Sequence, residues 1–318
     1  MADWIALEEH VVFPSFVDYL IAGLPRVSAD TKDRLLSQLS DFGDQRLQAM
    51  DASGVDIAVL SISGPGVQIE PDAALAIARA REANELLAAE IALRPNRYRG
   101  FAHLAMQNPA AAADELQRTV EEFGFVGAMV NGHTNGIYLD DSAYDLFWER
   151  MQDLDVPLYL HPADSFVKPY ALEGCDELLK PTWEWTFETA THFLRLVFSG
   201  VFDRFPRLKL ILGHMGETLP FILWRLDSRA ALTAGKRPLE LPPSAYLRRN
   251  LFVTTSGVFS DVPLVATVTA LGHDRVMYSI DYPYEDGAVA KTFLESTSLD
   301  EDTRMRIGRH NAQQLLRL

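Results

Sequence analysis

Short apolar runs of strand length alternate along the chain with longer stretches that have a helical period. This alternation is typical of a parallel sheet wrapped by helices. Eight runs predict strands, at residues 4–7, 55–62, 98–104, 127–130, 157–160, 208–212, 251–254 and 276–280. Helices are predicted at residues 71–93, 110–123, 142–153, 189–198, 217–231 and 261–271. Eight strands with intervening helices predict a (β/α)₈ TIM barrel of the α/β class.

Two stretches fit this alternation badly, residues 11–39 after strand 1 and residues 164–185 after strand 5. Both follow strand ends, where barrel enzymes place their substrate loops, so we expect inserted loops that help to roof a pocket. The chain has no internal repeat, low-complexity tract or Gly/Ser linker. We therefore expect one domain over residues 1–318.

Composition narrows the possible partners and the compartment. The formal net charge of −15 would repel nucleic acids and anionic membranes, so neither is expected as a partner. Cys175 is the single cysteine, which excludes an intramolecular disulfide and a cysteine metal cluster. The N-terminus lacks the pattern of a signal peptide, and no long uninterrupted apolar run is present. A soluble cytoplasmic protein is expected.

Polar side chains that can bind a metal follow several predicted strands. Glu8 and His10 stand two residues apart after the first strand, so their side chains point to the same side. His161 follows the fifth strand and Asp281 the eighth. Because barrel strands end at one face, these four nitrogen and oxygen donors should converge there. They suit a divalent ion such as zinc or manganese, with a coordination position left for substrate.

His214 and Glu217 form a second candidate pair, at the start of the predicted helix 217–231. Three residues separate them, which lets the carboxylate hold one imidazole nitrogen and orient a histidine that handles protons. The alternative is that Glu217 is only a favourable acid in the first turn of a helix.

Several motifs resemble those of the amidohydrolase-related decarboxylases, the group that includes aminocarboxymuconate semialdehyde decarboxylase. They are Glu8-Glu9-His10, Tyr159-Leu160-His161-Pro162, Gly213-His214-Met215-Gly216-Glu217, Leu223-Trp224-Arg225 and Ser279-Ile280-Asp281-Tyr282-Pro283-Tyr284-Glu285. The resemblance covers nearly the whole chain and is nearest to the γ-resorcylate and 2,3-dihydroxybenzoate decarboxylases. It implies that Glu8, His10, His161 and Asp281 bind the metal and that His214 and Glu217 act in catalysis.

The same resemblance implies two substrate-binding residues, Arg225 and Tyr284. The planar fork of Arg225 suits a carboxylate or phenolate, although a surface arginine on a helix is an equal alternative. The Tyr284 hydroxyl can bond a ring substituent, or its ring can stack on the substrate. Related hydrolases bridge two metals with a lysine after strand 4, whereas this strand ends Val130-Asn131. One metal ion is therefore expected.

The expected activity is the reversible, non-oxidative decarboxylation of a hydroxybenzoic acid, in the catabolism of aromatic compounds. Asp281 is the first choice as proton donor to the ring, with His214 as a relay. No organic cofactor is expected, because the hydroxylated ring accepts the electrons. The partner is a small aromatic carboxylic acid, and a homodimer or homotetramer is expected by analogy. One alternative is a metal-dependent hydrolase or hydratase of a lactone, amide or unsaturated acid. A catalytically silent scaffold is a third interpretation.

Overall fold

Eight parallel strands pair in sequence order in the computed structural model, which describes residues 3–24, 27–232 and 238–318. The strands are β1 (Trp4–Val11), β2 (Val55–Ile62), β3 (Tyr98–His103), β4 (Gly127–Asn131), β5 (Leu158–His161), β6 (Leu210–Leu212), β7 (Leu251–Thr254) and β8 (Val276–Met277). The two ends of the sheet meet, because Glu9 pairs with Tyr282 and the His10 N–H donates to the Tyr282 carbonyl at 2.8 Å. The predicted (β/α)₈ barrel is thus confirmed, while a single domain over residues 1–318 stays a prediction.

Helices follow the strands around the barrel. Within the described residues they are α1 (Val17–Gly23), α2 (Ala29–Ser40), α3 (Asp44–Ser53), α4 (Ala73–Leu93), α5 (Pro109–Phe123), α6 (Asp145–Leu154), α7 (Glu184–Phe198), α8 (Val201–Arg204), α9 (His214–Glu217), α10 (Leu223–Ala230), α11 (Pro243–Asn250), α12 (Asp261–Leu271), α13 (Gly287–Ser296), α14 (Glu301–Met305) and α15 (Asn311–Leu316). None of these described helices is both long and apolar enough to cross a bilayer.

The strands divide their side chains between two cores. Ile5, Ile57 and Phe101 belong to the cluster inside the barrel, and α15 packs against it at the N-terminal end of the strands through Leu315. Alternate residues such as Ala58 belong to the larger core between sheet and helices. This period of two is what a pleated strand imposes. With one end of the barrel covered by α15, the strands' carboxyl ends are left for the site.

A bulge in β1 aims the first candidate ligand. Ala6 pairs with Ala58, but Glu9 pairs with Leu60, so β1 has one more residue than β2 between these pairs. Leu7 is in the inner cluster, and the extra residue lets Glu8 face inward as well. The Ser279 hydroxyl accepts both backbone N–H groups, from Leu7 at 3.1 Å and from Glu8 at 2.5 Å. The bulge therefore brings Glu8 to the same side as His10.

The strand bounds differ from prediction at both ends of the chain. β1 continues to Val11, so Glu8 and His10 lie inside a strand. β8 ends at Met277, because the backbone then turns toward β7 and the Ser279 N–H donates to the Thr255 hydroxyl at 3.0 Å. Asp281 follows with a positive φ of 78°.

The insertion predicted after strand 1 is present, and it contains helices as well as loop. Residues 11–39 contain the 3₁₀ turn Pro14–Phe16, α1 and most of α2, which ends at Ser40, while residues 25 and 26 lie outside the described residues. Ser28 caps α2 by accepting the Thr31 N–H at 3.2 Å. Residues 164–185 are closer to a simple loop, since three short 3₁₀ turns are the regular structure they contain before α7 begins at Glu184.

The helix predicted at residues 217–231 begins later in the structure than the sequence indicates. Residues from His214 to Thr218 all have positive φ, among them Met215 at 56° and Gly216 at 76°. A left-handed backbone cannot continue into a right-handed helix. The helix α10 therefore begins only at Leu223.

Candidate active site

The four predicted metal ligands lie together at the carboxyl end of the barrel. His161 Nε2 is 3.4 Å from Glu8 Oε1, and His10 Nε2 is 3.2 Å from Asp281 Oδ1. The ligand atoms of Glu8, His10 and His161 all lie within 4.8 Å of one another. Glu8 and His10 come from β1, His161 from the end of β5, and Asp281 from the turn after β8.

The donor set fits a divalent cation. Among the described residues, three of its buried atoms have no hydrogen-bond partner: Glu8 Oε1, His10 Nε2 and Asp281 Oδ1. A buried polar atom without a partner is costly, so several facing one another indicate that a bound group supplies the missing interaction. Two imidazoles and two carboxylates with no thiolate suit zinc or manganese.

Hydrogen bonds hold these side chains in orientations that suit metal binding. His161 Nδ1 lies 2.8 Å from the Pro162 carbonyl, to which it donates, and this leaves the lone pair of Nε2 free. The Tyr159 hydroxyl donates to Glu8 Oε2, so the other carboxylate oxygen, Oε1, faces His161. Ser61 lies 3.3 Å from His10 Nδ1. Glu8, His10 and His161 thus each use one polar atom for the protein and present the other.

Burial and neighbouring charges set the protonation of the residues themselves. Burial lowers the pKa of His161 to about 3, so its imidazole is neutral. Burial opposes ionisation of Asp281, but the nearby imidazoles of His10 and His214 hold its pKa below the ordinary value. A neutral imidazole and an ionised carboxylate are the forms that bind metal ions.

His214 lies beside this group and is held by Glu217. Its Nδ1 is 2.7 Å from Glu217 Oε1, and its Nε2 is 3.8 Å from Asp281 Oδ2. Burial alone would lower the pKa of His214, but the carboxylates of Glu217 and Glu8 raise it well above its usual value. The contact expected from the sequence is present, although a left-handed turn forms it instead of a regular helix.

A cavity of about 490 Å³ opens above these residues. His161, His214, Asp281 and Tyr284 are among its lining residues. The Tyr284 hydroxyl lies 2.6 Å from the Ser63 hydroxyl. Arg225, by contrast, is exposed on α10 and is not among the described residues that line the cavity. The structure brings seven of the eight predicted site residues together and leaves Arg225 apart.

Three residues of the site were not predicted from the sequence to be site residues. Tyr159 orients Glu8, Ser63 contacts Tyr284, and the buried side chain of Asn131 lines the cavity. Ser63 and Asn131 follow or end apolar strand runs, which is the signal used for His161. Tyr159 lies within its strand and not at the end, so the same signal does not mark it.

Comparison with known proteins gives consistent matches. Residues 27–318 match the family described as Amidohydrolase. A γ-resorcylate decarboxylase of Rhizobium sp. (strain MTP-10005) is 42% identical over 325 residues, which covers 99% of this chain and 98% of the relative. A crystal structure of a 2,6-dihydroxybenzoate decarboxylase complexed with 2,6-dihydroxybenzoate has a TM-score of 0.95 at 41% identity, with both chains fully covered. A dihydroxybenzoic acid decarboxylase from Polaromonas sp. JS666, with bound manganese and the inhibitor 2-nitroresorcinol, has a TM-score of 0.94 at 42% identity, covering 100% of this chain and 98% of that chain.

Proposed function

This chain belongs to the amidohydrolase family, and we propose that it is a metal-dependent carboxy-lyase that decarboxylates a hydroxybenzoic acid to the phenol and CO₂. The observation that carries the proposal is the group of unpartnered atoms on Glu8, His10 and Asp281, next to the cavity that Asp281 and His161 line. Relatives that cover nearly all of the chain are named as γ-resorcylate decarboxylases, and a related structure holds 2,6-dihydroxybenzoate. A small aromatic carboxylic acid is accordingly the proposed substrate.

Glu8, His10, His161 and Asp281 are the residues that would hold one divalent ion, manganese or zinc. When bound, the ion would supply positive charge that binds the substrate's carboxylate and an adjacent phenolic oxygen and so fixes the ring. The donor set includes no lysine, since Asn131 stands at the end of β4. This composition supports one ion instead of two.

The reaction needs one proton at the ring carbon that bears the carboxylate, after which the bond to CO₂ breaks and its electrons restore the aromatic ring. His214 is suited to hold that proton, because its pKa is raised by Glu217 and Glu8 despite burial. Asp281 is held ionised, so it is a poor proton source unless another group supplies the proton. Its Oδ2 lies 3.8 Å from His214 Nε2, and it would take the proton and pass it to the ring when the two groups come within hydrogen-bond distance.

Tyr284 and Arg225 are the proposed substrate-binding residues. Tyr284 lines the cavity beside Ser63, and its ring lies 5.6 Å from that of His10. It can therefore contact one edge of the substrate's aromatic ring. For Arg225 the proposal rests on sequence resemblance, since its side chain is away from the cavity in the described chain.

The test is turnover by protein that has been stripped of metal and reloaded with manganese or zinc. We expect loss of ring absorbance and release of CO₂ from one or more of 2,6-dihydroxybenzoate, 2,3-dihydroxybenzoate, salicylate and 5-carboxyvanillate, and none without metal. Asp281→Asn should abolish turnover. Asp72→Asn is the matched control, because Asp72 only caps α4 and asparagine caps a helix equally well.

Turnover of a lactone, amide or unsaturated acid, with every phenolic acid unchanged, would refute the decarboxylase and support a hydrolase or hydratase on the same barrel. Equal activity of the two Asp variants would instead refute the role given to Asp281.

We further propose a cytoplasmic homodimer or homotetramer that acts in the catabolism of aromatic compounds. Phe221 and Trp224 are exposed next to Arg225, and aromatic and arginine side chains are enriched at protein interfaces. Light scattering with a Trp224→Ser variant tests the assembly, since a smaller species is expected if this surface pairs. The net charge of −15 supports a small-molecule partner over nucleic acid or an anionic membrane.

A further inference from the structure

One arginine lies at the mouth of the cavity beside the proposed metal site. Arg34 is on α2, in the insertion after β1, and it is exposed while also lining the cavity. Thr31 and Leu35 of the same helix line the cavity too, and spacings of three and four residues place all three side chains on one face of α2. A charged side chain on this face lies where a ligand enters.

The charges around the cavity make this arginine important for an anion. Within the described parts of the chain, Arg34 is the one lysine or arginine in the cavity lining, whereas the carboxylates are Asp164, Asp281 and Glu285. Asp164 is paired with Lys180 Nζ at 2.7 Å, and Asp281 belongs to the proposed metal site. Glu285 is exposed. In a protein of net charge −15, an approaching anion is therefore repelled unless a cation at the mouth opposes that field.

The charge of Arg34 is not neutralised by a neighbouring side chain. Its Nη1 donates to Gln38 Oε1 at 2.8 Å, and Gln38 is a neutral amide one turn further along α2. The guanidinium forms no ion pair with any residue that the structure describes. Because a guanidinium has five N–H donors, the bond to Gln38 holds the side chain and leaves most of its donors for a carboxylate.

We propose that Arg34 captures the anionic acid at the mouth of the cavity and so favours entry of the substrate over the product. The inference rests on the proposed function and adds a residue that selects for the charge of the ligand. The substrate carries a carboxylate, whereas the phenol that remains after loss of CO₂ is neutral. Arg34 therefore attracts the substrate without slowing release of the product.

The experiment measures kcat and KM of the manganese-loaded protein for the phenolic acid that it turns over fastest, at about 0.01 M and about 1 M ionic strength. The Debye length falls from about 30 Å to about 3 Å over this range, so high salt removes an effect of charge at the mouth. At low salt, Arg34→Gln should lower kcat/KM about fivefold through KM, with kcat unchanged, and the difference should fall below about twofold at high salt. Arg34→Lys keeps the charge and should stay within about twofold of the wild type.

Lys32→Gln is the matched control. Lys32 has the same charge and lies two residues away on α2, on another face of the helix, and it is not among the described residues that line the cavity. This variant changes the net charge equally but should leave kcat/KM within about twofold of the wild type. An equal loss in Lys32→Gln and Arg34→Gln would overturn the inference, because net charge alone would explain it. A loss in Arg34→Lys as large as that in Arg34→Gln would also overturn it.

Calorimetric binding of 2,6-dihydroxybenzoate and resorcinol at low ionic strength separates this inference from the proposed function. The two ligands differ in the carboxylate alone, so Arg34→Gln should weaken binding of the acid about fivefold and leave that of resorcinol unchanged. Absence of turnover with every acid would refute the decarboxylase, but this difference in binding would still support the role of Arg34. A wild type that does not bind the acid, an unchanged affinity in Arg34→Gln, or an equal loss for both ligands would overturn it.

Discussion

Replacing Tyr159 by phenylalanine should weaken metal binding without touching a metal ligand. The Tyr159 hydroxyl is fully buried, donates to Glu8 Oε2 and lies 2.7 Å from the Thr254 hydroxyl. Its bond occupies one carboxylate oxygen and leaves Glu8 Oε1 unpartnered beside His161. Tyr159→Phe removes the donor and keeps the ring, so the barrel interior stays filled.

The expected loss follows from the charge on Glu8. A hydrogen bond to a charged group contributes about 1.5–3 kcal/mol, and each 1.4 kcal/mol is about tenfold in affinity. Removing a residue that orients a ligand typically weakens a metal site about 10- to 100-fold. Ser256 also bonds Glu8, so part of the orientation survives and we expect the lower end, about tenfold.

Competition with a chelator gives the manganese dissociation constants of the wild type and Tyr159→Phe. Tyr98→Phe is the matched control, because Tyr98 is an equally buried tyrosine whose hydroxyl donates to the Phe42 carbonyl at 2.8 Å, away from the site. Each variant loses a buried hydroxyl, so each should lose unfolding free energy in the metal-free state, about 1 kcal/mol for Tyr98→Phe and about 1.5–3 kcal/mol for Tyr159→Phe, whose partner is a carboxylate. Tyr159→Phe alone should lose affinity.

Equal manganese affinity in all three proteins would refute the reasoning, since Tyr159 would then have no part in orienting Glu8. A similar loss in Tyr98→Phe would also refute it, because general destabilisation would explain the change. Metal analysis of each protein after reloading checks that one ion is bound per chain.

Three further outcomes are expected. Glu217→Gln removes the charge that supports the His214 imidazolium, so kcat should fall by about tenfold or more at unchanged metal content, and an unchanged kcat would contradict the role. Burial lowers the pKa of His192 to about 3 from 6.5, so the folded state keeps it neutral while the unfolded chain takes up a proton. Stability should therefore fall as pH drops below 6.5, and His192→Gln should recover about 3 kcal/mol of this loss in urea unfolding at pH 4.5, relative to pH 7. Tyr284→Phe and Ser63→Ala should each lower kcat/KM and be non-additive, and a fully additive double variant would show that their 2.6 Å contact is irrelevant.

The parts of the fold that could be predicted depend on neighbours in sequence. The helix predicted from residue 110 begins at Pro109 in α5, where Asn108 followed by Pro109 is the sequence signal of a helix start, and the Asn108 side chain accepts the Ala111 N–H at 3.1 Å. The strand Val55–Ile62 matched its apolar run at both ends. The start of α10 could not be predicted in this way, because the left-handed backbone at Met215 and Gly216 does not change the pattern of hydrophobic positions.

The candidate ligands could be found because barrel geometry brings strand ends together whatever the sequence between them. Residues that act through a partner far away in the sequence could not be predicted in this way. From the sequence, Asn131 indicated only that no lysine stands at this position. Its amide is held by Gln68, which lies 63 positions earlier in the chain. The role of Tyr159 follows only from the fold, which brings β5 across the barrel from Glu8, 151 positions away in the chain.

Closure of the barrel and assembly of the metal site depend on the same contacts. Glu8 turns inward at a bulge whose N–H groups donate to the Ser279 hydroxyl, more than 270 positions later in the chain. The Asp281 N–H in turn donates to the Glu8 carbonyl at 3.1 Å, which ties two proposed ligands together through their backbones. Because the ligands approach one another only when β1 meets the segment after β8, a cation that binds all four must favour the closed barrel over the open chain. The metal would therefore stabilise the contact between the first and last strands, which no chain connection joins directly.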